Sequence, residues 1–315
     1  MQHCRPFLVA MRSVLVAISI GCTMGLKDRK SHQADTVPLL QAMRAEHGRA
    51  GVLRSGGKGR VVFSMTTTAH RIDHIKPALD AIISGQTRPP DAVYLSIGPE
   101  VTVPSWMGSY ADNSSDGSRL QILRQSRDPG PGLKLIGAAI EENNAGRGDT
   151  VIVYGDDDQV YGSDLLKIHS ERAHRDGTGR EQAFGARKIS AGRPEIPVLE
   201  ATGSISIRAS AVPSAAFKIG STPDACKFSD DFYFANAFKK AGVELRLLDE
   251  CAMDWNRMRM PQRCLQRELQ AVKTIHPLSS MVLDEDGKES NRKAGDWRSQ
   301  LARYALCQQA LGDSK

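Results

Sequence analysis

Aromatic residues make up only 5% of this 315-residue chain, and its 42 Lys and Arg are scattered rather than gathered into runs. A basic stripe interleaved with stacking rings, as a nucleic-acid partner would need, is therefore not expected. The six cysteines, at 4, 22, 226, 251, 264 and 307, form no Cys-x-x-Cys pair and no zinc-type spacing. Cys4 and Cys22 lie in or beside an N-terminal apolar segment. Cys226, Cys251 and Cys264 are close enough in sequence for one disulfide, with the pairing open. No internal repeat is visible. No uninterrupted apolar run reaches the roughly 20 residues of a free-standing membrane helix, although Phe7–Leu26 reaches that length if Arg12 snorkels.

What is present is ordinary for a folded protein. Hydrophobic residues account for 40% and charged residues for 25%, so the bulk is not disordered. The length suits one large α/β domain or two small ones. A net charge of +6 and a pI of about 9.0 weakly favour anionic small ligands.

At the N-terminus, Arg5 and Arg12 precede an apolar run from Val14 to about Leu26, followed by Lys27, Asp28, Arg29 and Lys30. That is the pattern of a signal peptide or signal-anchor over 1–26, with no clean small-x-small cleavage site. The plain alternative is an amphipathic or disordered start. The expectation is membrane contact through this segment, with the remainder in the secretory lumen. Residues 27–58 are polar and rich in Gly and Arg, reading as a stem with one short helix near Thr36–Glu46.

From Arg60 the pattern changes to strands alternating with helices. RVVFSMTT reads as a buried strand, HIKPALDAIISG as a helix and DAVYLSIG as a second strand after the Pro89-Pro90 break. RLQILRQ is a third strand, LKLIGAAIEENN a helix and TVIVY a fourth strand. SDLLKIHSERAHRD is a helix, FGARKIS and ATGSISIRASAV are strands, SDDFYFANAFKKAG is a helix stopped by Gly242, and VELRLLD is a strand. This alternation describes an α/β fold with a largely parallel sheet. The tail from Met253 reads as helical and basic, with a last helix near Trp297–Leu311. The domain expectation is 59–280 for the α/β part and 281–315 for a helical tail.

The stretch VIVYGDDDQVYGSDLL, residues 151–166, holds the chemistry. Three adjacent carboxylates repel and raise one another's pKa. A solvated loop is the plain reading of Asp156, Asp157 and Asp158. Their position at the carboxyl end of an apolar strand, where open α/β sheets bind ligands, argues for function instead. Carboxylates one residue apart can converge on a divalent cation, which removes their repulsion; oxygen ligands favour Mg²⁺ or Mn²⁺.

Four ordered features resemble the nucleotide-sugar-dependent glycosyltransferases of the GT-A fold, closest to family-2-like members. They are the S-x-T-T-x-x-x-R segment Ser64–Arg71, the GP-x-x-K of Gly130, Pro131 and Lys134, the strand ending in the aspartates, and EATGSISIRAS followed by SDD. The resemblance spans about 60–250. It implies a Rossmann-like, mostly parallel sheet flanked by helices, and a metal-dependent, inverting transfer from a nucleotide-sugar donor to a glycan, protein or small-molecule acceptor. Under it, Asp156 and Asp158 bind metal (Asp156 or ribose), and Asp157 could take either part because the triplet offers two registers. Lys134 lies near the diphosphate, and Thr66 and Arg71 near the nucleotide. Asp231 is the general base with Asp230 beside it, and His276 a late metal ligand. Each has a plain reading: helix-surface residues for Lys134 and Arg71, helix capping for Ser229, Asp230 and Asp231, and a surface or packing role for His276, while Trp255 either lines the acceptor site or packs. The implied location is the secretory pathway, as a type II Golgi membrane protein or a lumenal or secreted one.

Two other readings compete. A haloacid-dehalogenase-like phosphatase would use Asp156 and Asp158, and needs 151–155 to be both central in the sheet and first in the chain. A non-catalytic lumenal sugar-binding module would keep the fold without turnover.

Overall fold

The computed structural model describes residues 59–112, 120–175, 181–191, 196–248, 253–254, 273–274, 282–283, 289–290 and 297–312. All lie in one compact unit spanning 51–315. The N-terminal apolar segment, the stem, Trp255 and His276 fall outside the described residues, so the expectations placed on them lie there too. Among the described residues, no helix is long and apolar enough to cross a membrane.

The strands that matter are β1 (Val61–Thr66), β2 (Ala92–Ile97), β3 (Leu120–Arg124), β4 (Val151–Tyr154), β5 (Gln159–Val160), β6 (Gln182–Gly185), β7 (Arg187–Ala191), β8 (Ile196–Leu199), β9 (Ile205–Arg208) and β10 (Glu244–Leu247). The helices are α1 (Lys76–Ile83), α2 (Leu133–Asn144), α3 (Leu165–Arg175), α4 (Asp230–Lys240) and α5 (Trp297–Ala310). Seven strands form one sheet in the order β10-β6-β9-β4-β1-β2-β3. β1 pairs parallel with β2 and β4, β2 with β3, and β6 with β10; β9 alone runs antiparallel, between β4 and β6. The fold is α/β with a mixed, mostly parallel sheet, as the alternation of strands and helices implies.

β1, β2 and β4 are apolar runs rather than alternating ones because helices cover both faces. Val62, Tyr94, Ile152 and Tyr154 pack on the side of α2 and α4. Val61, Phe63, Met65, Leu95 and Val153 pack on the side of α1 and the start of α3. Each fully buried Val, Leu or Phe contributes about 1.5–3 kcal/mol, so these two layers hold the strand ends, and the loops they carry, in place.

Three differences from the sequence reading have physical causes. ATGSISIRASAV is not one strand: Ala201–Gly203 is a 3-10 turn, and β9 begins only at Ile205. Ser204 stands between them at φ 77°, a left-handed backbone that a strand does not admit. Secondly, the described parts of the tail before residue 297 are short strands, not helix. Met253–Asp254 pairs parallel with β7, which also pairs with β8, and Lys273–Thr274 pairs with β5. Thirdly, Cys226 pairs with Cys307, 81 residues away, rather than with Cys251 or Cys264. That bond, with Tyr304 stacked on Phe232, fastens α5 to the segment leading into α4.

Candidate active site

β4 ends at the centre of the sheet, and the chain turns at Gly155 into the three aspartates. Glycine is required at that turn. A Cβ there would sit 2.0 Å from the Tyr161 hydroxyl, which donates to the Asp156 carbonyl at 2.8 Å. The tyrosine thus ties the triplet's backbone down from the far side of its loop.

Each aspartate then goes a different way. Asp156 is the most open, with its side chain 30% exposed, and its Oδ1 accepts from Lys134 Nζ at 2.9 Å. Asp157 and Asp158 are buried and share the Arg71 guanidinium, which pairs closely with Asp157 and reaches Asp158 Oδ2 at 3.3 Å. Gln159 Nε2 donates to Asp158 Oδ1 at 2.7 Å. Burial pushes the Asp157 pKa up to about 6, with Asp158 and Asp156 adding to the rise against Arg71 and the neighbouring Thr67 hydroxyl. Asp158 is raised by burial and by Asp156, against Gln159 and Arg71. The repulsion expected of three adjacent carboxylates is therefore present and only partly offset.

Lys134 lies in the first turn of α2, where a cation opposes the helix dipole, and its side chain is only 3% exposed. Two carboxylates explain it. Nζ lies 2.9 Å from Asp156 Oδ1 and 2.8 Å from Asp230 Oδ2, linking the β4 loop to the start of α4. Burial opposes the charge, but the fields of Asp156, Asp230 and Asp231 overcome it and hold the pKa well above the ordinary lysine value. Lys134 is not a helix-surface lysine.

The capping reading of the SDD run also fails. Ser229, the N-cap of α4, makes no side-chain cap bond, and Asp230 turns to Lys134 instead. Asp231 Oδ2 accepts the Ala201 amide at 3.2 Å, from the turn before β9. Burial, then Asp230, raise the Asp231 pKa well above the carboxylate range, against Lys134. Thr66 sits at the end of β1, and its hydroxyl donates to the Ser96 carbonyl at 2.7 Å.

So the structure gathers Asp156, Lys134, Asp230 and Asp231 into one cluster and sets Arg71, Asp157 and Asp158 beside it. Tyr154, Thr67, Gln159, Tyr161 and the Ala201 amide belong here too, and sequence reasoning missed them. Only Gln159, adjacent to the triplet, carried a signal; the others are placed by folding. Among the described residues, no group of three His, Cys, Asp or Glu is set to hold a metal ion. Thr274 pairs with Gln159, which brings the C-terminal segment next to Asp158.

No protein-family model matches the chain, and no curated protein matches it. Solved structures of nucleotide-sugar and related nucleotide enzymes are similar to it. Glucosyl-3-phosphoglycerate synthase from Mycobacterium tuberculosis, in complex with phosphoglyceric acid, is 13% identical over 70% of this chain and 76% of that one, with a TM-score of 0.38. The same enzyme with Mn²⁺, uridine diphosphate and phosphoglyceric acid is 13% identical over 68% and 72%, at a TM-score of 0.38. A 4-diphosphocytidyl-2C-methyl-D-erythritol synthase is 12% identical over 67% and 99%, also at 0.38. The α/β assignment rests on the sheet itself.

Proposed function

We propose that this chain is a nucleotide-sugar-dependent glycosyltransferase of GT-A type, inverting, with Asp231 as general base. The observation that carries the reading is Lys134. A buried lysine, set against its helix dipole, joins the strand-end aspartates to the Asp230-Asp231 pair. Local rules are broken in this way where function requires it. In the transfer, Asp231 accepts the proton of an acceptor hydroxyl while that oxygen's electron pair forms the bond to the anomeric carbon. The bond from that carbon to the diphosphate oxygen breaks with its electrons, releasing the nucleoside diphosphate. Lys134 holds the two acidic segments at a fixed spacing, and Arg71 orients Asp157 and Asp158.

The donor set suits a divalent cation. Asp156 and Asp158 offer hard carboxylate oxygens, and five aspartates stand against only Lys134 and Arg71 in the contacts described. A doubly anionic leaving group entering such a site needs added positive charge. Asp158 and Asp156 would hold Mg²⁺ or Mn²⁺, which would supply positive charge to the departing diphosphate. His276, two residues past the Thr274 that pairs beside Asp158, is proposed as a further ligand. Secretory-pathway residence through the N-terminal segment, with a glycan, protein or small-molecule acceptor, belongs to the same proposal.

The phosphatase reading is not supported: the 151–154 strand is central but fourth in chain order among the described strands. Calorimetric titration of the full chain with UDP and with GDP, each with and without Mn²⁺, tests the transferase. Metal-dependent binding of one diphosphate, abolished by Asp158→Ala, is the expected result. Binding of neither overturns it, and binding without turnover of any sugar nucleotide favours the non-catalytic module.

A further inference from the structure

Among the described residues, the buried polar atoms that lack a hydrogen-bond partner include the Tyr154 hydroxyl and Asp231 Oδ1. Tyr154 is the last residue of β4 and is fully buried; Asp231 is half-buried as a residue, with Oδ1 covered. Both residues line one narrow crevice, whose other walls are Leu199, Ile205, Phe234, Ala235, Phe238 and Leu245. No part of it is wide enough to seat a water molecule. Those walls are apolar side chains and offer neither donor nor acceptor. An unpaired buried phenol and an unpaired carboxylate oxygen each carry a desolvation penalty that a hydrogen bond would remove. Lining the same space, each is placed to relieve the other.

Resting on the function proposed above, we infer that Tyr154 is a positioning residue for the base: its hydroxyl donates to Asp231 Oδ1. The terminal torsion of an aspartate is broad, so the carboxylate can turn toward the phenol without leaving a rotamer well. Asp231 is then anchored on two sides, Oδ2 by the Ala201 amide and Oδ1 by Tyr154. Each carboxylate oxygen has two acceptor sites, so each keeps one for the incoming proton. A carboxylate in an apolar pocket without such a donor would hold its proton at neutral pH and could not act as a base. Asp231 is the charge that acts most strongly on the Tyr154 hydroxyl, which agrees with their proximity. In the sequence Tyr154 reads as one more core residue of VIVY; the structure gives it a chemical task.

Two measurements decide this. The first is a double-mutant cycle of urea unfolding at pH 8 with Tyr154→Phe, Asp231→Asn and the pair. Phenylalanine keeps the ring and its packing, so the fold survives. The expected coupling is about tenfold in the unfolding equilibrium constant; additive effects overturn the inference, whatever reaction the protein performs. The second is the pH profile of UDP-glucose and GDP-mannose hydrolysis. Tyr154→Phe is expected to move the limb governed by the base upward by about one pH unit, with Mn²⁺-UDP binding unchanged. An unmoved limb overturns the positioning role. If the unmodified protein turns over neither donor, the transferase reading fails and the unfolding cycle alone judges the pairing.

Discussion

Helix α2 carries a buried charge at each end, and the two ends could hardly be treated more differently. Near its last turn Glu142 is fully buried and fully served. Arg60 donates at 3.0 and 3.1 Å, Arg147 at 2.6 and 3.1 Å, Thr150 at 2.7 Å, and the Tyr94 hydroxyl closes the set. About 12 Å away along the helix, Lys134 sits among carboxylates that outnumber the cations and leave buried oxygens unpaired. The Glu142 cluster gathers Arg60 before β1, Thr150 before β4 and the end of α2, so it fastens the amino ends of the central strands. The Lys134 cluster lies at the carboxyl ends, where ligands bind. A polar network with every group satisfied rigidifies a fold; one left partly unsatisfied marks a place waiting for a ligand or a proton.

The largest effect is expected from the unsatisfied end. Asp231→Asn should lower sugar-nucleotide turnover by about 10²–10⁴-fold, the usual worth of a positioned general base. Metal-dependent diphosphate binding should persist, and initial rates beside a binding titration would separate the two. Loss of both together would make Asp231 a structural residue. Next comes Lys134→Met, which strands Asp156 and Asp230 without their cation and should cost about 3–5 kcal/mol of stability. A urea midpoint nearly unchanged would mean that Lys134 is dispensable to the architecture and its bridge incidental.

How much of this the sequence discloses depends on the range of the interaction. The α/β class and the core strands are local patterns, continuous apolar runs separated by helical periodicity, and they read directly. Asp156–Asp158 at a strand end also reads directly, because the triplet and the strand are adjacent. What each carboxylate touches does not. Lys134 to Asp230 spans 96 positions, Ala201 to Asp231 spans 30, and only the sheet order brings them together. The Cys226–Cys307 bond is illegible for the same reason. Asp230 reads as a helix cap because the first turn of a helix welcomes any acid, and nothing local says that a buried lysine has a prior claim on it. Tyr154 is hidden by its neighbours: in VIVY it looks like packing.

The two ends should also respond oppositely to pH, without added metal. Burial raises the Glu142 carboxyl, but bonds from Arg147, Arg60, Tyr94 and Thr150 overcome this and leave its pKa at about 2, against 4.5 unfolded. Its stabilisation is present above pH 4.5 and lost as pH falls toward 2. Asp157 goes the other way, about 6 folded against 3.8 unfolded. Its contribution is intact below pH 3.8 and lost as pH rises through 6. Each shift corresponds to roughly 3 kcal/mol. Glu142→Gln should therefore weaken the protein at pH 7 and flatten its acid side. Asp157→Asn should strengthen it at pH 7 and remove the decline between about pH 4 and 6. Unfolding curves from pH 3 to 8 would show both, and parallel profiles for the two variants would erase the distinction between the ends.

The smallest effect tests how firmly the acidic loop is held. Gly155→Ala places a methyl 2.0 Å from the Tyr161 hydroxyl and 2.7 Å from its ring carbon Cζ, so the ring must move. Overpacking of this kind costs about 1–3 kcal/mol, and here it also breaks the bond from Tyr161 to the Asp156 carbonyl. Tyr161→Phe alone loses only that bond, about 0.5–1.5 kcal/mol. Combining them should cost less than the sum, because deleting the hydroxyl removes the nearest clash while the ring contact stays tight. Partial recovery measured by urea unfolding would place Tyr161 as the brace of the triplet. Strict additivity would mean that the loop yields instead of the ring, and that the aspartates are held from the Lys134 and Arg71 side alone.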